Sequence, residues 1–151
     1  MATEIPVSGN GGPVPGGGAG AREGESLQFT LPSFPPSVNS MYLINHNQRR
    51  VQLSDEALLW KTRIVPCILP CRLDFPAYKL TLIYQSPRWL LKSGGLRRAD
   101  VSNMDKLTID TLCSKWGWDD SRLTEVIRRK EWYEWDRIVV VLEEGHQLER
   151  L

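Results

Sequence analysis

The sequence lacks an apolar run near the length of about 20 residues that a membrane span needs, and no signal peptide is visible. It contains only three cysteines, Cys67, Cys71 and Cys113, an odd number that is too small for a disulfide scaffold. Cys67 and Cys71 also lack the second pair of ligands that a zinc site requires. These absences favour a cytoplasmic protein without disulfides, a structural zinc ion or a membrane span.

An excess of charge of one sign is missing too, because 19 basic and 18 acidic side chains give a net charge of +1 over 151 residues. The glycines, prolines and charges are distributed unevenly along the chain. Residues 1–26 hold 8 of the 12 glycines and 3 of the 10 prolines, with a net charge of −2, which predicts a flexible arm. Residues 27–151 carry a net charge of +3 and are interpreted as one domain with a modest core.

Alternation of apolar and polar residues predicts five strands. These strands are 27–31, 51–53, 78–85, 123–132 and 137–143. The last two are expected to form a hairpin around Tyr133–Asp136. The continuous apolar run Ile138–Leu142 predicts that the final strand lies at the centre of the sheet.

Two helices are predicted between these strands. Ser54 is a good N-cap with acidic residues after it, so a helix is expected from there to about Val65. Apolar residues at helical spacing predict a second helix from about Ser102 to Lys115, closed by Gly117. The order β-β-α-β-α-β-β predicts an α+β domain with a small mixed β-sheet and two main helices.

The densest group of chemically active residues lies at the start of the second helix. Basic residues run directly into Asp100, and Asp119–Asp120 follow the far end of the same helix. Mg²⁺ prefers oxygen ligands and keeps several waters, so two or three carboxylates can hold it beside a phosphate. We therefore expect Asp100 and Asp120 to bind a divalent cation.

Neutral and cationic side chains follow Asp100. Lys106 lies three residues after Asn103, so both are expected on one side of the helix. Ser102 and Asn103 can act as neutral ligands or bind a metal-bound water, and Lys106 can stabilise negative charge that develops on a phosphate. The predicted helix is about 20 Å long. Asp100 and Asp120 therefore meet only if the loop after the helix folds back, or if the loop comes from a second subunit.

Each of these residues also has a purely structural interpretation. An Asp or Ser before a helix is commonly an N-cap, and Asp119–Ser121 has the composition of a turn. Lys106 and Asp110 are spaced for a surface ion pair. The six tryptophans suit a core or a protein interface. On this interpretation the chain is a small α+β interaction protein.

Several segments resemble one known family, the RusA-type Holliday-junction resolvases. Leu31–Asn39, followed by a basic turn and Val51–Ser54, resembles the opening of that family. Arg97–Lys106, followed by Gly117–Ser121, resembles its signature, and the likeness covers about residues 27–144 in order. The resemblance implies a RusA-like fold and a homodimeric endonuclease. Such an enzyme uses Mg²⁺ or Mn²⁺ to cut four-way DNA junctions in recombination and repair, in the cytoplasm or at the nucleoid.

The resemblance also implies roles for individual residues. By motif position, Asp100, Lys106 and Asp120 match catalytic residues of the family, and Asp119 matches the neighbour of the last one. The implied metal-binding set is Asp100, Ser102, Asp119 and Asp120.

Ser102 departs from the family pattern, because it stands where a second aspartate is usual. Loss of that charge should weaken metal binding. Either Ser102 serves as a weaker oxygen ligand, or Asp105 or Asp119 compensates for the lost charge. The alternative is a protein that binds four-way junctions but cuts them poorly or not at all.

Binding to branched DNA would depend mostly on neutralising phosphates. The side chains expected to contact DNA are Arg49, Arg50, Arg88, Lys92, Arg97, Arg98 and Asn103. A homodimer is expected because symmetric cutting of a junction needs two active sites related by a two-fold axis.

Overall fold

The computed structural model describes residues 24–47, 49–97 and 101–150, without the side chains of Val38, Asn39, Asn45 and Ser102. Arg98 and Asp100, and nearly all of the predicted arm, lie outside the described residues. No helix in the described part of the chain is long and apolar enough to cross a membrane.

The described chain is a mixed α+β structure, as predicted. Its elements are β1 (Ser26–Leu31), α1 (Val38–Met41), β2 (Tyr42–Asn45), β3 (Arg50–Leu53), α2 (Asp55–Ile64), β4 (Tyr78–Gln85), α3 (Ser102–Trp116), β5 (Leu123–Glu131) and β6 (Arg137–Glu144). The predicted strands and both main helices are present with nearly the predicted bounds. The one-turn helix α1 and the short strand β2 were not predicted.

Four strands form the main sheet in the order β1-β6-β4-β5. β6 is antiparallel to both of its neighbours, and β4 and β5 are parallel. The central position predicted for the apolar run of β6 is confirmed.

The predicted hairpin of the last two strands is wrong, because β4 lies between β5 and β6. The connection 132–136 crosses the end of β4, where the N–H of Tyr133 donates to the carbonyl of Ser86 at 3.4 Å. The physical reason is the difference between the strands. β4 is largely buried and needs a neighbour on each side, whereas β5 is charged and half-exposed and suits an edge.

One face of the sheet carries the core. Leu82 of β4 pairs with Val140 of β6, which pairs with Phe29 of β1, so these side chains lie side by side and are fully buried. Both main helices contribute to the same core. Their buried apolar residues are Ala57, Trp60, Ile64, Leu107 and Leu112.

The predicted N-cap of α2 and the predicted C-cap of α3 are confirmed. The hydroxyl of Ser54 accepts a hydrogen bond from the N–H of Ala57 at 3.2 Å and so caps α2. Gly117 ends α3 in the left-handed conformation at φ +79°, and its N–H donates to the carbonyl of Cys113 at 2.9 Å.

Helix α3 runs along β4, and its two ends lie at opposite ends of that strand. Near its start, Asp105 accepts a hydrogen bond from the hydroxyl of Tyr84 at 2.5 Å. Just beyond its end, Trp118 stacks on Tyr78 with 4.7 Å between ring centroids. The two tyrosines are six positions apart on β4, which corresponds to about 20 Å.

Candidate functional site

The exposed side of α3 brings several of the predicted site residues onto one surface. Asn103, Lys106 and Asp110 are all exposed, and their spacing places them on one side of the helix. Asp119 and Asp120 are exposed just beyond the carboxyl end of the same helix. We call these five residues the α3 face. It is cationic near the start of the helix and anionic at the other end.

The start of α3 does not have the N-cap that the sequence suggested. Val101 occupies the N-cap position, and no capping side-chain hydrogen bond is found there within the described residues. Ser102 is already the first residue of the helix. The capping interpretation therefore does not account for Ser102, while Asp100 lies outside the described residues.

The sequence indicates Asp105 only as a substitute ligand, but in the structure it has a structural role. It is 5% exposed, one of its oxygens accepts from the hydroxyl of Tyr84, and the other accepts from Nε of Arg128. Burial, followed by the hydrogen bond to Asp105 and its negative charge, raises the pKa of the Tyr84 hydroxyl. Because both oxygens already accept hydrogen bonds inside the protein, Asp105 is poorly placed to compensate for Ser102.

A sequence signal for this role exists. Asp105 lies at helical spacing from Val101, Thr108 and Leu112, which are all buried. A carboxylate in the middle of a buried helix face needs a cationic or hydrogen-bonding partner.

Within the described structure, Lys106 and Asp110 do not form the surface ion pair that their spacing permits. The ammonium group of Lys106 instead lies 5.7 Å from the ring centroid of Tyr42, at the base of the β2–β3 pair. The lysine is exposed and free to meet a phosphate on the α3 face.

The carboxylates at the other end of α3 form a turn as well as a candidate ligand group. Asp119 accepts a hydrogen bond from the N–H of Ser121 at 2.8 Å, which lowers the pKa of its carboxyl. Burial raises the pKa of Cys113 to about 12, and the charges of Asp120, Asp110 and Asp119 contribute to that rise. These three carboxylates therefore lie around the carboxyl-terminal half of α3.

The described subunit does not bring Asp120 to the start of α3. Lys106 lies at the end of the helix nearest Tyr84, and Asp120 lies at the end nearest Tyr78, so the loop does not fold back along the helix. No group of three or more His, Cys, Asp or Glu side chains is placed to hold a metal ion among residues 24–47, 49–97 and 101–150.

Three predicted DNA-contacting residues meet at a cavity of about 240 Å³ beside the start of α3, namely Arg88, Arg97 and Asn103. Arg88 is partly neutralised, because its Nη2 lies 2.6 Å from Asp136. Arg97 is exposed, and none of the salt bridges among the described residues includes it. The remaining walls are mostly apolar and are formed by Phe34, Pro35, Ser37, Trp89 and Met104.

The other predicted basic residues lie elsewhere on the surface. Arg49 and Arg50 are exposed at the turn between β2 and β3, and Lys92 is exposed in the loop before α3. The tryptophans divide between two environments. Trp60 and Trp89 are buried, Trp116 and Trp118 stack at the edge of the core, and Trp132 and Trp135 are more than half exposed.

In comparisons with known proteins, no family model and no curated protein matches this chain. The RusA-type resemblance therefore stays an expectation drawn from the motifs.

Proposed function

We propose that the protein is a structure-selective DNA endonuclease that uses Mg²⁺ or Mn²⁺ to cut four-way junctions as a homodimer, in recombination and repair. The observation that carries the proposal is the α3 face. It presents an exposed lysine and an exposed amide at one end, beside Arg97, and exposed carboxylates at the other. Phosphodiester hydrolysis needs cationic groups on the phosphate and oxygen ligands for a hard cation. The motif resemblance supports the same reaction.

In this proposal, acidic side chains bind the metal ion, and basic and amide side chains contact the DNA. Asp100 and Asp120 are the carboxylates that fit a hard divalent cation, which when bound activates water and neutralises the phosphate. Lys106 stabilises the negative charge that develops on the phosphate oxygens. Arg97 and Asn103 hold the DNA strand beside the start of α3.

The length of α3, 15 residues or about 22 Å, gives the homodimer a specific role in this proposal. In a two-fold dimer with antiparallel α3 faces, the start of each helix lies beside the carboxyl end of the other. Asp100 then approaches the partner's Asp120. Opposite charges also face each other in that arrangement, because Lys106 lies opposite the carboxyl end of the partner's helix, which Asp119 and Asp120 follow.

The test is cleavage of a synthetic four-way DNA junction by the full chain, with Mg²⁺, with Mn²⁺ and with a chelator. We expect metal-dependent nicking that falls at least tenfold to about a hundredfold in Asp100→Asn, because loss of even an outer-shell partner of a metal site typically costs about that much activity. Asp74→Asn is the control, because Asp74 is an exposed aspartate that is not among the predicted site residues. Intact junctions with either metal would contradict the catalytic proposal.

A second candidate is a protein that binds junctions with little or no cleavage. Ser102 favours it, because an aspartate is expected at that position and no three-ligand group is found among the described residues. On this alternative, wild type binds junctions tightly and leaves them intact, and Ser102→Asp gains metal-dependent cleavage. If DNA binding does not weaken with rising salt, both candidates fail and a protein-interaction role is left.

A further inference from the structure

Strands β2 and β3 form a two-stranded ribbon separate from the main sheet. A two-stranded hairpin is marginal on its own, and here its base is anchored to the body of the protein. The N–H of Ser54 donates to the carbonyl of Met41 at 2.8 Å, and its hydroxyl donates to that of Ser40 at 2.6 Å. The ribbon therefore has a fixed base.

The ribbon exposes large apolar side chains far from the core. Ile44 and Val51 pair across the two strands, so they lie on the same face, and they are 65% and 61% exposed. Leu43, which belongs to the opposite face, is 49% exposed. Adjacent apolar side chains with this exposure are typical of a surface that contacts a partner.

The charges of the ribbon indicate the chemistry of that partner. Residues 42–53 include Arg49, Arg50 and His46 but no Asp or Glu. At the base, the ring of Tyr42 lies 5.7 Å from the ammonium group of Lys106. Ile44 and Val51 thus lie on a ribbon without acidic residues, which begins beside Lys106 and ends in two arginines. Such a ribbon suits a partner that is a polyanion and also has apolar surfaces.

We infer that the β2–β3 ribbon is an arm that enters branched DNA, an inference that rests on the proposed function. Arg49 and Arg50 contact phosphates. Ile44 and Val51 pack against base faces that lose their stacking partners where the strands of a junction part, as apolar wedges do in other DNA-binding proteins. A second copy is a poorer occupant, because the ribbon has no acidic residue and offers no carboxylate to pair with the arginines of another ribbon.

The test uses the double variant Ile44→Ser/Val51→Ser, with binding measured by fluorescence anisotropy in a chelator so that no cleavage occurs. We expect affinity for a four-way junction to fall by about tenfold or more, the usual scale for a lost base contact, while affinity for linear duplex changes little. A 2-aminopurine at the branch point should lose the fluorescence increase that wild type produces on unstacking it.

Two further variants make the test specific. Leu58→Ser/Leu148→Ser removes two exposed leucines outside the ribbon and should bind like wild type. Arg49→Gln/Arg50→Gln should weaken junction and duplex binding alike and reduce the salt dependence of both, because it removes phosphate contacts. Far-UV circular dichroism checks that each variant is folded.

The outcomes separate this inference from the proposed function. If wild type nicks junctions and Ile44→Ser/Val51→Ser binds and unstacks them equally well, the inference alone is overturned. If light scattering shows that the double variant turns a wild-type dimer into a monomer, the ribbon is a subunit contact and the inference is also overturned. If wild type binds no DNA, the proposed function and the inference fail together.

Discussion

At the scale of single residues, Asp105 connects helix α3 to the sheet. It accepts hydrogen bonds from Tyr84 on β4 and from Arg128 on β5, so one carboxylate joins three elements. Its neighbour Lys106 faces the solvent on the α3 face. The direction in which that lysine points therefore depends on a buried contact one residue away.

We predict that Asp105→Asn lowers the free energy of unfolding by about 2 kcal/mol. A buried carboxylate that loses its charge weakens two hydrogen bonds, and the loss is smaller than for a fully buried ion pair because Arg128 keeps about half of its side chain exposed. Urea unfolding at pH 7 measures the change.

Asp110→Asn is the matched control on the same helix, because Asp110 is exposed and forms no ion pair with Lys106 in the described structure. Its stability should change by less than about 0.5 kcal/mol. Equal losses in the two variants would contradict the role assigned to Asp105.

At the scale of elements, the segment after β6 is hydrogen-bonded beside the first residues of β4 and β5. The N–H of Gly145 donates to the carbonyl of Ala77 at 3.0 Å, and the hydroxyl of Thr124 donates to the carbonyl of His146 at 2.8 Å. A Cβ at position 145 would lie 2.6 Å from backbone atoms of Tyr78 and from the Thr124 hydroxyl. Only glycine fits this contact without a backbone shift.

Gly145→Ala should therefore lower the free energy of unfolding by about 1–3 kcal/mol, the usual result of forcing an extra carbon into a packed site. Gly95→Ala is the control, because a Cβ there meets nothing closer than 3.6 Å. Thermal unfolding followed by circular dichroism compares the two. A Gly145→Ala protein as stable as wild type would show that the segment is not packed as described.

The elements that sequence predicts well are those whose signals are local. The alternation in Tyr78–Gln85 predicts β4, and the residues around Ser54 and Gly117 predict the caps of α2 and α3. Strand β2 is only four residues long and has no clear alternation, so it was missed. The neighbour of β5 in the sheet was predicted wrongly. The alternation of apolar residues indicates which face of a strand is buried, but it does not indicate which strand lies beside it.

For the candidate site, too, the sequence predicts local features but not contacts between distant residues. Helical spacing correctly placed Asn103 and Lys106 on one side of α3. Helical spacing indicates that Asp105 lies on a buried face and needs a partner, but it does not identify Tyr84 and Arg128, which lie 21 and 23 positions away along the chain.

At the scale of the whole molecule, the length of α3 determines how an active site can be assembled. Asp100 directly precedes Val101 at the start of α3, and Asp120 lies at the other end. The proposed site is therefore shared between subunits, and each subunit supplies one half to each of two sites.

Mixed dimers test this arrangement. Homodimers of Asp100→Asn and of Asp120→Asn should both be inactive, whereas a heterodimer of the two regains one intact site and nicks junctions on one strand. Differently tagged subunits, expressed together and purified in two affinity steps, provide the heterodimer.

Asp100→Asn combined with Lys106→Gln is the control pair. Both residues lie at the start of the helix, so each site of that heterodimer contains one altered residue and stays inactive. Absence of activity in the Asp100→Asn and Asp120→Asn heterodimer would refute a shared site.

The position of β6 has a consequence for how the molecule folds. β6 is the last of the described strands along the chain, yet it lies between β1 and β4 and is the only strand that pairs with β1 in the described sheet. During synthesis, β1 cannot form its pairing with β6 until β6 has been synthesised. We therefore expect the sheet to close late, by pairing distant parts of the chain, which makes its folding slow relative to helical proteins of similar size.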